Sequence, residues 1–350
     1  MSKTDPLPEY DSLLLISFGG PEGPDDVMPF LENVLRGKKV PRERMLEVAE
    51  HYYGFGGVSP INSQNRALID ALQAEFQRQA IQLPIYWGNR NWHPTIPETL
   101  SQMRDEGRQR ALAFFTSMFS CYSGCRQYRE NIADAQAEVG LGAPIVEKLR
   151  FGFNHPGFIQ PMVSNLLQAC RQIDADPATT QVLFTAHSIP LSMAEYCTYQ
   201  TQLTEASRLV AEGAGARHWK LVFQSRSGPP QQPWLEPDVC DQIESLDDTN
   251  KLDKVVVIPI GFVSDHMEVI YDLDDEAAKL CQERGIRMAR AATVGTHPQF
   301  IGMICDLVRE RTTPSTERFA LGTMGPWHDV CPADCCLYKP VQRGQRSPTS

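Results

Sequence analysis

No stretch of this 350-residue chain stays apolar for long. Its longest apolar runs, residues 13–16 and 255–260, fall far short of the roughly 20 residues that span a bilayer. Residues 1–11 are polar and proline-rich, without the charged start and apolar core of a secretory signal. These lacks lead us to expect a cytoplasmic protein with no membrane insertion. Basic charge is also in short supply: 33 Lys and Arg stand against 43 Asp and Glu, a net charge of −10. That argues against nucleic acid or an anionic membrane as main partner, since either favours a basic face. An anionic small molecule remains compatible, because a few local arginines suffice to bind it. The glycine-rich turn Phe55-Gly56-Gly57-Val58-Ser59-Pro60 lacks both GxGxxG and a GK[ST] ending, which makes it poor evidence for a nucleotide.

What is present reads as a soluble α/β protein long enough for two full cores. Strand-like runs at 13–18, 83–87, 111–116, 181–186, 220–224 and 255–260 alternate with helix-like stretches at 62–79, 125–138, 192–213 and 274–284. Such alternation implies βαβ units with parallel sheets. The halves also rhyme: Leu14-Leu15-Ile16-Ser17-Phe18-Gly19-Gly20-Pro21 matches the pattern of Leu183-Phe184-Thr185-Ala186-His187-Ser188-Ile189-Pro190. We expect two similar domains, 1–157 and 158–311, with the boundary where Pro156 and Gly157 interrupt the pattern. A tail, 312–350, would follow a linker-like stretch and end in a polar, disordered segment.

Two segments carry the strongest chemical signal. One ends a strand on His187; the other, Ile258-Pro259-Ile260-Gly261-Phe262-Val263-Ser264-Asp265-His266-Met267-Glu268, ends an apolar run on Glu268. Ligands of open parallel sheets bind at the carboxyl ends of strands. A histidine facing a carboxylate can hold a metal and move a proton. Beyond Glu268, Asp272 and Glu276 recur at four-residue intervals, on one helix face. No basic residue relieves them before Lys279, so the row suits a path for cations or protons as well as a solvated face. Trp87-Gly88-Asn89-Arg90-Asn91-Trp92 and Gln224-Ser225-Arg226-Ser227-Gly228-Pro229 each join an arginine to aromatic or glycine-rich surroundings at a strand end. Aromatic faces with arginines fit a planar ring bearing carboxylates.

Together with Thr185-Ala186-His187-Ser188-Ile189-Pro190 and the turn at 55–60, these motifs resemble, in order, those of the ferrochelatases over residues 10–310. The resemblance implies two Rossmann-like domains with a porphyrin cleft between them, and ATP-independent insertion of Fe²⁺. His187 and Glu268 match the family's site pair, which contacts iron and handles the pyrrole protons. Ser59, Tyr128 and Tyr52 match porphyrin-contacting positions, and Asp272 and Glu276 the acidic helix face. Phe18 stands where some bacterial relatives carry a tyrosine. Membrane-bound relatives carry an apolar lip where this chain has the charged stretch 36–44, a polar entrance that suits a tetracarboxylate. The motif at 122–130 resembles the actinobacterial branch. Both imply coproporphyrin III as substrate, with protoporphyrin IX as the alternative. Enzymes of the haem pathway would be its protein partners.

Ten cysteines in a cytosolic chain point to thiols or metal ligands rather than disulfides. Some ferrochelatases hold a 2Fe–2S cluster with three C-terminal cysteines and an internal one. The resemblance assigns these to Cys331, Cys335 and Cys336, with Cys125 or Cys121 inside. Zinc or a mobile thiol-rich tail is the alternative. Three cysteines in a tail so poor in apolar residues are not expected to be core.

Overall fold

The computed structural model describes residues 9–37, 40–228 and 231–338. The polar end segment at 342–350, Lys38, Lys39, Pro229 and Pro230 lie outside them. Strands β1 (Ser12–Ser17), β2 (Ile85–Asn89), β3 (Arg110–Phe115) and β4 (Ile145–Lys148) form one sheet in the order β2-β1-β3-β4. Strands β5 (Gln181–His187), β6 (His218–Gln224), β7 (Lys254–Ile258) and β8 (Arg287–Arg290) form a second, in the order β6-β5-β7-β8. Every pairing is parallel. The central strands are near-continuous apolar runs such as Leu13–Ile16 and Val255–Ile258, all fully buried. A strand covered on both faces needs that pattern rather than alternation.

The six expected strands are all present. The two unexpected ones, β4 and β8, are four-residue edge strands, Ile-Val-Glu-Lys and Arg-Met-Ala-Arg, only partly buried. Charged residues on a short edge discourage pairing with another chain and also hide the strand from a search for apolar runs.

The two halves rhyme in backbone as well as in sequence. Thr116 N donates to Ile16 O at 3.0 Å, and Gly261 N donates to Thr185 O at 3.0 Å. Ile16 and Thr185 hold the same place in the two matched segments. Phe18 and His187, two residues further on, therefore stand at corresponding ends of the central strands.

Helices cover both sheets. Ile61–Arg78 forms nearly as expected. The stretch expected at 192–213 is divided into Leu191–Ala194 and Tyr199–Ala214. The one expected at 274–284 starts earlier, at Met267, and passes through a π-helical segment, Ile270–Ala277. Pro156 and Gly157 open a helix, Pro156–Gln172, rather than break one. Proline suits that first position, where its missing N–H is not needed. This helix packs on Tyr199–Ala214 and on Pro298–Thr312, and the latter also packs on Ile61–Arg78. One core therefore runs through both halves, from Leu14 past Phe158 to Ile258. Among the described residues no helix is long and apolar enough to cross a membrane.

The tail is docked against the body. Arg150 and Glu310, both essentially unexposed, form an ion pair at 2.6 Å. Arg150 also donates to the Phe319 carbonyl at 2.9 Å. Asn154 donates to the carbonyls of Leu321 at 3.2 Å and Gly325 at 2.9 Å. Trp327 packs edge-on against Phe153 at 5.9 Å. The low apolar content of the tail is thus misleading: Leu321, Met324, Trp327 and Cys331 pack against the core, and Cys336 is itself buried.

Replacing Glu310 by Ala would leave the Arg150 guanidinium buried without its anion. We expect a loss of about 3–5 kcal/mol in unfolding free energy, read by urea denaturation. A loss under about 1 kcal/mol, the worth of a surface pair, would contradict this role.

Candidate functional site

His187 ends β5, and the chain after β7 turns back to start a helix at Met267. Gly261 makes that turn fit. A Cβ on it would lie 2.6 Å from Ala186 Cβ and 2.8 Å from Ala186 Cα, so the backbone can cross β5 there only without a side chain. As a result Glu268 Oε2 lies 3.7 Å from His187 Nε2. That separation is an ion-pair distance, longer than a hydrogen bond. The expected pair therefore faces one another.

The imidazole is held from behind. Its Nδ1 meets the Ser188 carbonyl, and Tyr199 donates its hydroxyl to the His187 carbonyl at 3.1 Å. A carbonyl can only accept, so Nδ1 carries a proton and Nε2 faces Glu268. Burial works against charge on His187, but Glu268, the Ser188 carbonyl and Asp272 outweigh it and raise its pKa. A second imidazole, unremarked in the motif, shares Glu268: His266 Nδ1 lies 3.9 Å from Oε2. Burial drives the His266 pKa down, with His187 adding to the effect against Glu268 and Asp265. Glu268 thus lies between one histidine biased towards its charged form and one biased towards neutrality.

Behind Glu268 the carboxylate row is real and electrostatically linked. Burial, Glu268 and Glu276 push Asp272 up to about 7, against hydrogen bonds from Ser225 and Gln224. Gln224 Nε2 donates to Asp272 at 3.1 Å and to the Glu268 carbonyl at 3.3 Å. Burial raises Glu276 as well, aided by Asp238 and Asp275 and opposed by Tyr271 and His51. The neighbouring acids are neutralised: Arg290 pairs with Asp265 and Asp274, and Lys279 with Asp275. The helix therefore separates two kinds of carboxylate. His51 stacks on Tyr271 with ring centroids 3.9 Å apart, tying Arg42–Gly54 to the same helix.

Beyond the ends of β1 and β2 lies an aromatic cluster. Phe30 meets Phe18 at 6.2 Å, Tyr52 at 5.9 Å and Trp92 at 6.2 Å. Burial and the nearby Glu268 raise the Tyr52 phenol, which brings Tyr52 into the field of the site pair. The Arg90 guanidinium lies 5.9 Å from the Phe18 ring centroid and 5.8 Å from that of Tyr128. Tyr128 is buried, and that burial, opposed by Arg90, lifts it to about 12. Ser59 is buried, and its N–H donates to the Pro21 carbonyl at 2.9 Å. Gly57, with φ +75°, lets the turn lie against Pro24, where a Cβ would be 2.5 Å from Cα. The chain that follows the charged stretch 36–44 is more mixed. Leu46, Tyr53, Phe55 and Val58 are exposed along it.

The cysteines gather at a separate place. Ligand atoms of His328, Cys331 and Cys335 all lie within 4.8 Å of one another. Cys125, from the π turn Tyr122–Arg126, lies next to Cys331, whose ionisation it favours. Lys148 and His328 reinforce that ionisation, and Cys125 also feels Cys336. Cys336 Sγ lies 3.5 Å from Cys335 Sγ. Arg126 donates to the carbonyls of Ala333 at 2.8 Å and Cys335 at 3.0 Å, fastening the tail beside Cys125. Four thiols near one another, one primed to ionise, fit a thiophilic metal or an iron–sulfur cluster. His328 and His266 were missed as site residues because neither falls in a recognisable spacing.

The ferrochelatase family model matches residues 10–312. A ferrochelatase of Rhodopirellula baltica is 68% identical over 334 residues, covering 95% of either chain. A coproporphyrin III ferrochelatase of Streptomyces coelicolor is 48% identical over 365 residues, covering 97% of either chain. Among solved structures, SirB from Bacillus subtilis superposes with a TM-score of 0.55 at 12% identity, covering 89% of this chain and 99% of that one. At that identity the likeness is one of fold alone.

Asp272 supplies a pH test. Folded, it keeps its proton up to about 7; unfolded, it releases it near an ordinary carboxylate value of about 4. The folded state binds more protons in that window, so this group costs stability progressively as pH rises through it. Asp272→Asn removes the cost. We expect its unfolding free energy, relative to the parent, to improve between about pH 4 and pH 7 and then level off. A pH-independent difference in denaturation experiments would contradict the assignment.

Proposed function

The chain belongs to the ferrochelatase family, whose members are enzymes that insert Fe²⁺ into a porphyrin for haem biosynthesis, and on that premise we propose that His187 and Glu268 carry the reaction. The observation behind this reading is their 3.7 Å approach, with Asp272 and Glu276 behind Glu268. Insertion releases two pyrrole protons for each Fe²⁺ taken up. His187 Nε2 accepts the first, its affinity raised by Glu268. Glu268 accepts the second and passes it towards Asp272, whose pKa near 7 lets it take and release a proton at neutral pH. The same carboxylates attract the incoming dication. The aromatic cluster with Tyr52 and Tyr128, and Ser59 near the Gly57 turn, hold the macrocycle. Arg90 offers a cation to its peripheral carboxylates.

We take the substrate to be coproporphyrin III. The support is the relatives bearing that name at 44–50% identity and the charged residues of 36–44. The exposed Leu46, Tyr53, Phe55 and Val58 favour the second reading, protoporphyrin IX, whose periphery is more apolar. We further propose units 1–157 and 158–311, a tail at 312–350, and a 2Fe–2S cluster on Cys125, Cys331, Cys335 and Cys336. When bound, such a cluster supplies one-electron chemistry and a pin between tail and body.

Glu268→Ala should lower kcat by on the order of 100-fold or more with a smaller change in KM, because the carboxylate acts in the transition state. Near-normal iron insertion, followed by porphyrin absorbance, would overturn the site. The same assay with both porphyrins should give the higher kcat/KM for coproporphyrin III; the reverse order selects protoporphyrin IX.

A further inference from the structure

Of the motif Gln224-Ser225-Arg226, it is the glutamine that is built into the site. Gln224 ends β6 in register with His187 at the end of β5, so the two residues leave adjacent strands side by side. Its backbone carbonyl accepts the Ser188 N–H at 2.8 Å. Ser188 is the residue whose own carbonyl orients the His187 imidazole. The Ser188 hydroxyl donates to the Leu235 carbonyl at 2.8 Å, which pins Ser188 a second time. One end of Gln224 therefore belongs to the support of His187.

The other end reaches the partner of His187. The residue is 1% exposed, and its Nε2 donates to the Glu268 carbonyl at 3.3 Å and to Asp272 Oδ2 at 3.1 Å. A carbonyl can only accept, so the two faces of this amide are not interchangeable. The two acceptors lie on either side of the change from the α-helical turn Met267–Val269 to the π-helical segment Ile270–Ala277. π-Helical turns are rare, and here one amide grips the helix across the change. Its Oε1 is buried with no partner among the described residues. An unpaired buried acceptor costs free energy, and a methionine would fill similar space without that cost. The cost is offset only by what the N–H groups hold in place. Neutral at every working pH, an amide also holds these groups without joining their proton exchange.

We propose that Gln224 is a positioning residue for iron insertion. It joins the support of His187 to the helix of Glu268 and Asp272, and so fixes the approach of the carboxylate to the imidazole. This rests on the reading of His187 and Glu268 as the reacting pair, and Gln224 acts through Glu268 rather than on the macrocycle.

The test compares iron insertion by the full chain, followed by porphyrin absorbance, in Gln224→Met, Gln224→Asn, Glu268→Ala and the double variant Gln224→Met with Glu268→Ala. Methionine removes the donor at similar volume; asparagine keeps an amide one methylene too short to hold both acceptors. Circular dichroism reads folding. We expect both Gln224 variants to lower kcat on the order of 10- to 100-fold, with the KM for porphyrin changed less than about twofold. In the Glu268→Ala background, Gln224→Met should add no further loss, because no carboxylate is left to position. A parent-like kcat in folded Gln224→Met overturns the proposal; if that variant does not fold, a parent-like kcat in Gln224→Asn does so. Failure of both to fold overturns it as well, since the amide would then serve the fold. So does a loss carried by the porphyrin KM alone, or a full loss that persists in the Glu268→Ala background. Near-normal insertion by Glu268→Ala overturns the site pair and this proposal together. A damaged Glu268→Ala beside intact Gln224 variants removes this proposal and leaves the pair standing.

Discussion

Gly261 passes over Ala186 at a distance that admits no side chain, and the approach of Glu268 to His187 follows from that crossing. Parallel pairing of β5 with β7 sets the two strand ends side by side. The Gly261 N–H to Thr185 carbonyl bond then commits the chain to turn back over β5. Only such a turn brings Glu268 to the imidazole of His187 from a helix whose remaining carboxylates trail away behind it. The corresponding end of β1 carries Phe18 instead of a titratable group. One half of a repeated architecture thus carries the titratable groups, while the other carries the aromatic cluster.

Much of this was legible from residue patterns. The apolar runs that became β1, β3, β5 and β7 are the strands most deeply buried, so their composition had to declare them. His187 and Glu268 stood out only in combination, since a histidine at a strand end is more often structural and the signal lay in the two segments taken with the motifs around them. The edge strands β4 and β8 were not legible, since edges are short and charged. The row Glu268, Asp272, Glu276 was read as one face of an α-helix. Its middle is in fact a π-helical segment, Ile270–Ala277. π-Helical turns occur inside helices chiefly at functional sites, and four-residue spacing keeps side chains roughly aligned in either geometry.

The tail was the hardest part to read. Its apolar content is low, yet Arg150, Asn154 and Arg126 bind its carbonyls one after another. Docking by hydrogen bonds to backbone leaves no hydrophobic signature, so composition alone suggested a loose end. Donors reaching from the body add to the packing of the tail's few apolar side chains, Leu321, Met324 and Trp327. The same docking brings cysteines from distant parts of the sequence together, and it makes His328, invisible in any spacing, a member of their group. His266 was missed although it stands two residues from Glu268, because only the structure shows that it shares that carboxylate with His187.

The account turns on His187 and Glu268 acting as one unit upon a bound porphyrin. A double-mutant cycle on kcat/KM for Fe²⁺ insertion, using His187→Ala, Glu268→Gln and the double variant, tests this directly. If the pair shares the protons of one macrocycle, the double variant should be little worse than the poorer single variant. Losses that simply multiply would show two residues working independently, and would contradict the account.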